Sequence, residues 1–282
     1  MDRTTQARRA EAFRRLHDRS RILVLPNAWD VGSACVFEAA GFPAVATSSA
    51  GVAWALGYAD GQHLSRAEMA DAVRRIARRL TVPLTADMEG GYGDDAASAA
   101  ETVRAVIAAG AVGLNLEDGT HRPGRPLLEM EVQVERVWAA RRAADEEGVP
   151  VVLNARTDVY LAAVGDEAGR FEHAVRRANA YREAGADCLF VPGVSDAATI
   201  AALARAVNGP LNVLAGPGTP PVAELARLGV ARVSVGGGPA RAALTVTRRV
   251  AEELLGPGTY TSFTRDTLSY AEVNRLLAPQ AE

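Results

Sequence analysis

The sequence contains no lysine: all 31 basic residues are Arg. Enzymes that hold substrate or pyridoxal phosphate as a Schiff base, and P-loop nucleotide hydrolases, need an amine at their centre and are excluded. Cysteine is almost as scarce, with Cys35 and Cys188 alone. That rules out a disulfide framework or a Cys-rich metal site, and both thiols are expected to be buried and reduced. The four histidines are scattered, and His17, His63 and His173 read as surface residues. No stretch offers eighteen uninterrupted apolar residues, and the Arg- and Glu-rich first twenty lack the apolar centre of a secretory signal, so a cytoplasmic protein is expected. A net charge of -3 with dispersed arginines gives no reason to expect nucleic acid or a membrane as partner. A small molecule is the default ligand.

What is present is an apolar chain of 282 residues, 48% hydrophobic, in which short β-branched runs alternate with longer Ala- and Arg-rich amphipathic stretches. The runs at Ile22–Ala28, Ala44–Ser48, Pro83–Glu89, Val112–Asp118, Val151–Thr157, Cys188–Gly193, Leu211–Gly216 and Arg232–Gly237 predict strands. Such an alternation predicts an α/β fold, a (β/α)8 TIM-type barrel. One domain over residues 1–282 is expected, the barrel occupying about 22–255, with a leading helix near Thr4–Arg19. A helical appendage over about 259–282 contains a trailing helix near Asp266–Leu277 and follows the Gly256-Pro257-Gly258 break. Ser65 with Glu68 reads as a capping box, and Thr219 ahead of Pro220 as a helix cap.

In such barrels chemistry resides at the carboxyl ends of the strands, and those ends are acidic here. The third closes on Asp87-Met88-Glu89 and runs into Gly90-Gly91-Tyr92-Gly93; the fourth closes on Asn115-Leu116-Glu117-Asp118; the fifth reads Asn154-Ala155-Arg156-Thr157-Asp158. Side chains two apart share a strand face, so Asp87 pairs with Glu89, Asn115 with Glu117 and Asn154 with Arg156. Buried carboxylates gathered in this way imply a cation, and Arg156 beside them an anionic ligand. Oxygen donors without clustered His or Cys favour a hard ion, Mg2+ or in its place Mn2+. Asp60, in a long loop over Gly51–His63, adds a further carboxylate, and the small residues Thr47-Ser48-Ser49-Ala50-Gly51 would let backbone amides approach an oxyanion. An Arg156 salt-bridge network that merely fills the barrel mouth is the structural alternative. Gly216-Pro217-Gly218-Thr219 and Gly236-Gly237-Gly238-Pro239, after the last two strands, leave a sugar-phosphate site open as another.

In order and spacing, Pro26-Asn27-Ala28-Trp29-Asp30, Thr47-Ser48-Ser49, Asp60, Asp87-Met88-Glu89-Gly90-Gly91-Tyr92-Gly93, Leu116-Glu117-Asp118 and Asn154-Ala155-Arg156-Thr157-Asp158 resemble the isocitrate lyase/phosphoenolpyruvate mutase superfamily over nearly the whole chain. The resemblance implies a Mg2+-dependent barrel that acts on a small 2-oxo or 2-hydroxy carboxylate through a metal-stabilised enolate. It implies Asp87 as the principal carboxylate at the ion, with Asp60, Glu89 and Glu117 acting through its waters. Thr47, Ser48, the Ser49 and Ala50 amides, Asp87, Arg156 and Asn212 are then the substrate-binding set, and Arg156, His121 and Glu117 the catalytic one. It also implies a homodimer or homotetramer in which the C-terminal helix is exchanged. Lyases of the family carry Lys-Arg/Lys-Cys-Gly-His in a gating loop after the fourth strand; here Gly119-Thr120-His121-Arg122-Pro123-Gly124-Arg125-Pro126 has neither Cys nor Lys. The expectation is therefore a carbon–carbon lyase or decarboxylase acting on an oxaloacetate- or methylisocitrate-like acid. His121 or an Arg would donate the proton, and Arg122 and Arg125, with Thr120 beside them, would close on a distal carboxylate. A phosphonopyruvate-type hydrolase or mutase and a non-catalytic 2-oxo acid binder stand as alternatives.

Overall fold

The structure is a computed structural model that describes residues 2–278. The chain begins with α1 (Arg3–Arg15), followed by β1 (Leu23–Leu25) and β2 (Asn27–Ala28), then α2 (Val31–Ala39), β3 (Val45–Thr47), α3 (Ser49–Ala55) and α4 (Arg66–Ala77). Next come β4 (Leu84–Asp87), α5 (Ala96–Ala109), β5 (Gly113–Glu117), a hairpin of β6 (Gly119–Arg122) and β7 (Arg125–Leu127), α6 (Met130–Glu146) and β8 (Val152–Arg156). The remainder is α7 (Glu167–Glu183), β9 (Cys188–Phe190), α8 (Ala197–Ala206), β10 (Leu211–Leu214), α9 (Val222–Arg227), β11 (Arg232–Ser234), α10 (Gly238–Leu255) and α11 (Tyr270–Leu277). Residues 279–282 of the expected appendage lie outside the described residues.

The parallel sheet runs β1-β11-β10-β9-β8-β5-β4-β3-β2. Its two edges, β1 and β2, are consecutive pieces of one strand parted by Pro26, which has no N–H to give to a ladder. β1 pairs with β11 (Leu23 opposite Arg232) and β2 with β3 (Asn27 opposite Ala46), so the interrupted strand closes the expected eight-fold barrel. Asn27 staples the closure: its amide donates to the Thr47 carbonyl at 2.8 Å and accepts from the Val235 and Gly236 N–H groups at 2.8 and 2.9 Å.

Helix α1 plugs the barrel floor. Phe13 is wholly buried, and a Cβ on Gly113 would lie 2.8 Å from its ring, so only glycine fits there. His17 stacks edge-on to Phe13 at 4.9 Å and is buried, not on the surface as its sequence context suggests. The apolar faces of α4 to α8 cover the barrel in one continuous core that runs from Ala10 to Val233. Both cysteines are buried and unpaired.

Local signals held in part. The Ser65 and Glu68 side chains make the reciprocal cap of α4, whereas Thr219 caps nothing: it accepts from Gly216 N–H at 3.0 Å, and α9 starts after Pro221 without a side-chain cap. The loop expected from Gly51 is helical to Ala55, because Ser48 accepts from the Gly51 amide and so initiates α3. The trailing helix is α11, which lies against α2 of its own chain, where Arg79 donates to the carbonyls of Leu276 and Ala278 at 3.5 and 2.8 Å. Helix α10, by contrast, buries only Ala240.

Candidate active site

At the carboxyl ends of β4, β5 and β8 the acidic residues converge as the strand-face argument requires. Asp87, in register with Asn115 of β5, accepts at one oxygen from the Ser49 amide (3.2 Å) and hydroxyl (2.8 Å), and at the other from the Asn115 amide (3.2 Å). Asn154 extends this line by donating to Asn115 at 2.7 Å. Thr47 Oγ1 accepts the Asp87 N–H at 2.8 Å, which fixes where the carboxylate leaves the strand.

Glu117 is 1% exposed and bridges Arg156 and His121: Oε2 meets Arg156 Nη1 at 2.6 Å and Oε1 meets His121 Nε2 at 2.8 Å. Burial pushes this carboxyl up, against the pull of Arg156. Glu89 accepts from the Gln62 N–H, and burial together with Asp87, Glu117 and Asp60 pushes it up to about 8. Asp60, exposed as a residue but with its carboxyl partly desolvated, is raised by that desolvation and by Asp87, with His121 and Arg156 opposing. His121 is raised through its bond to Glu117.

Arg156 is fully engaged. Its Nε and Nη2 donate to Asp158 at 2.6 and 2.9 Å while Nη1 takes Glu117. Burial pulls the guanidinium down, but Asp158 and Glu117 carry it above its usual range. In this conformation both prongs of the Arg156 fork are spent on protein carboxylates, so the expected role in neutralising a substrate carboxylate would require one of them to be exchanged for the substrate. Asp158, outside the expected set, is the residue responsible. A Cβ on Gly119 would sit 2.5 Å from its Oδ2, so glycine is what lets the hairpin pass it.

Other expected ligands are placed differently. Ser48 Oγ caps α3 and the Ser49 amide is given to Asp87, which leaves Ala50, at the edge of the cluster, the only one of the three without such a commitment. Asn212 is wholly buried and exchanges hydrogen bonds with Ser234 at 3.1 and 3.2 Å, apart from the acidic group. The expected gating loop is a β-hairpin, with Thr120 Oγ1 tied to the Arg125 carbonyl. Arg122 and Arg125 do not face the site: Arg122 forms a two-pronged pair with Asp94 at 2.7 and 2.8 Å, and Arg125 stands 3.6 Å from the same carboxylate.

Residues missed by sequence reasoning hold this mouth together. Gln62 accepts from the Tyr92 N–H at 2.9 Å while its own N–H serves Glu89, and a Cβ on Gly61 would lie 3.5 Å from the His121 ring. Gln62, Glu89, Tyr92 and His121 all sit at positive φ (60, 51, 60 and 55°). Each costs on the order of 1 kcal/mol, and such strain gathers where a site is assembled. Nothing in the local sequence marks a left-handed Glu or Gln, so this signal was invisible beforehand.

The cluster thus sets Asp60, Asp87, Glu89, Glu117 and Asp158 against Arg156 and His121, an excess of negative charge with oxygen donors alone. Among the described residues no three acidic, His or Cys side chains converge tightly enough to cage an ion by themselves.

The family model of phosphoenolpyruvate phosphomutase matches residues 13–255. The chain belongs to that family. It is 43% identical, with a TM-score of 0.91 and 97% of each chain covered, to the crystal structure of a candidate lyase/mutase from Burkholderia cenocepacia J2315. It is 33% identical over 208 residues to the 2-methylisocitrate lyase of Escherichia coli (strain K12), covering 71% of this chain and 68% of that one. A phosphonopyruvate hydrolase solved with oxalate and Mg2+ superposes with a TM-score of 0.83 at 27% identity, covering 95% of this chain and 94% of that one. The chain is thus a member of the isocitrate lyase/phosphoenolpyruvate mutase superfamily, and its relatives are lyases, mutases and hydrolases acting on small carboxylates. No helix among the described residues is long and apolar enough to cross a membrane.

Proposed function

We propose that the protein is a Mg2+-dependent carbon–carbon lyase or decarboxylase that takes a small 2-oxo or 2-hydroxy (di)carboxylate through an enolate. The observation that carries this reading is the acidic cluster at the ends of β4, β5 and β8, whose carboxylates outnumber the cations beside them, with Glu89 pushed up to about 8 by burial and by its acidic neighbours. Mn2+ is an alternative ion for the same oxygen donors.

Asp87 would hold the ion directly, and Asp60, Glu89 and Glu117 through its waters. When bound, it would supply positive charge where the substrate's oxo oxygen becomes negative as a carbon–carbon bond breaks. The remaining roles belong to the chain. Glu117 and His121, 2.8 Å apart, hold a proton at the mouth that can be delivered to the carbanionic carbon. Arg156 orients Glu117 and Asp158, and the hairpin carrying His121 keeps bulk water from the reacting centre. Oxaloacetate-like acids fit because loss of CO2 leaves the enolate of a small oxo acid, and methylisocitrate-like acids because cleavage releases a small oxo acid while the bonding pair leaves as the enolate of the other carboxylate product, which then takes up a proton.

The test is calorimetric and chemical. Wild-type protein should bind Mn2+ in the presence of oxalate, an enolate mimic, and Asp87→Ala should weaken that affinity at least about tenfold; an unaltered affinity refutes the metal site. With Mg2+, at least one of oxaloacetate, 2-methylmalate and 2-methylisocitrate should yield pyruvate or another oxo acid. The likeness to phosphonopyruvate hydrolase supports a second reading, phosphorus–carbon cleavage, which phosphate release from phosphonopyruvate would establish. A thermal shift with oxalate but no product from any acid would indicate a binding protein.

A further inference from the structure

Behind the acidic mouth, one face of α6 carries a second layer that the sequence reading did not single out. Gln133 and Arg136, three apart and therefore on the same helical face, are both wholly exposed to no solvent. Arg136 Nη2 donates to the Gly90 carbonyl, and Nη1 to Gln133 Oε1 and to the Glu117 carbonyl at 3.4 Å. Gln133 Nε2 reaches the Leu116 carbonyl at 3.3 Å. The two side chains thus grip the backbone at the end of β5 and in the loop after β4, the two places from which Glu117 and Glu89 project.

Those two glutamates are also joined directly, the Glu117 N–H donating to the Glu89 carbonyl at 3.1 Å. The loop fits tightly against the grip: a Cβ on Gly91 (φ +77°) would lie 3.2 Å from Arg136 Nη2 and 2.8 Å from Leu116 Cδ1. Among the described residues Arg136 makes no ion pair. A buried guanidinium that gives Nη1 and Nη2 to carbonyl oxygens and leaves Nε without a hydrogen-bond partner is costly to keep for stability alone, and an apolar residue of similar volume would fill the space more cheaply. What the planar fork supplies, and an apolar side chain lacks, is a fixed distance between two carbonyls.

We propose that Arg136, with Gln133 as its brace, is a positioning residue for the divalent-cation site, setting the separation of the Glu89 and Glu117 carboxylates from behind. The proposal rests on the reading of those carboxylates as ion-binding. A supporting layer of this kind is worth about ten- to a hundredfold in ion affinity.

The experiment measures Mn2+ affinity by calorimetry, with oxalate present, for wild type, Arg136→Met, Arg136→Lys and Gln133→Leu, with each fold checked by circular dichroism and urea unfolding. Arg136→Met should bind Mn2+ about ten- to a hundredfold more weakly, while Arg136→Lys, able to reach one carbonyl but not span two, and Gln133→Leu should each lose several-fold. If Arg136→Met does not fold, the other two variants decide. Folded variants that unfold at lower urea yet bind Mn2+ as tightly as wild type would show a purely structural role and overturn the proposal. A wild type that binds no Mn2+ overturns the metal site itself, so the two failures are separable.

Discussion

At the scale of single residues the floor of the barrel carries a pH dependence distinct from that of the mouth. His17, just past the end of α1, donates from Nδ1 to the Phe13 carbonyl at 3.0 Å, is buried against the Phe13 ring, and faces the charges of Arg232 from β11 and Arg14 from α1. Burial and the Arg232 charge depress its pKa from 6.5 to about 3. Between those values the unfolded chain takes up a proton that the folded chain refuses, so this stabilising contribution is complete above about pH 6.5 and is lost as pH falls toward 3. The stability difference between wild type and His17→Gln, from urea unfolding, should therefore shrink by about 2 kcal/mol on going from pH 7 to pH 5. A constant difference would mean that His17 is protonated in the native state. The sequence could not show this, because a histidine in an Arg-rich amphipathic helix looks solvated until the helix is seen to plug a barrel. The same limit applied to Arg156. Its place on the lumen face was legible from the two-residue period, but its capture by Asp158 depends on how the chain turns after the strand.

The element that most altered the reading is the hairpin of β6 and β7. Pro and Gly in Arg122-Pro123-Gly124-Arg125 read as an open loop, yet Gly124 at φ +75° turns the chain tightly enough for two short strands to pair. Its tip is latched to the loop after β4 through Asp94, whose carboxyl is lowered by the hydrogen bonds from Arg122. Both partners are solvent-exposed, so the latch is worth no more than about 1 kcal/mol and is screened by salt. Asp94→Asn should raise amide hydrogen exchange across residues 119–127 about two- to fivefold, and high salt should do the same to wild type. Unchanged protection would mean that the hairpin is held by its ladder and by His121 alone. Arg122 and Arg125 could turn to a substrate carboxylate, the role expected of them, only after this latch opens.

At the scale of the whole molecule, α10 is the anomaly. It is the eighth helix of the barrel, yet Leu244, Val246 and Leu254 are 55, 47 and 46% exposed and only Ala240 is buried. Wound at helical pitch, these residues with Val250 and Ala251 form a broad apolar side opposite Arg249 and Glu252, a pattern that belongs against another surface. We propose that a second copy of the chain covers this side of α10, alongside the exchange of a C-terminal helix that the family resemblance implies. Light scattering on the eluting protein should give the mass of a dimer or a larger assembly, and Leu244→Arg with Leu254→Arg should move it toward the monomer. A wild-type monomer would exclude the arrangement. By itself the sequence determined the barrel, the lumen-facing carboxylates and the family, since the alternation of elements and the two-residue strand period are local properties of the chain. Only the tertiary structure decided which charge meets which: Arg122 reaches Asp94 and Arg136 the backbone behind the site across long stretches of sequence that meet when the barrel closes, while Arg156 and Asp158, two residues apart, are joined by the way the chain turns after β8.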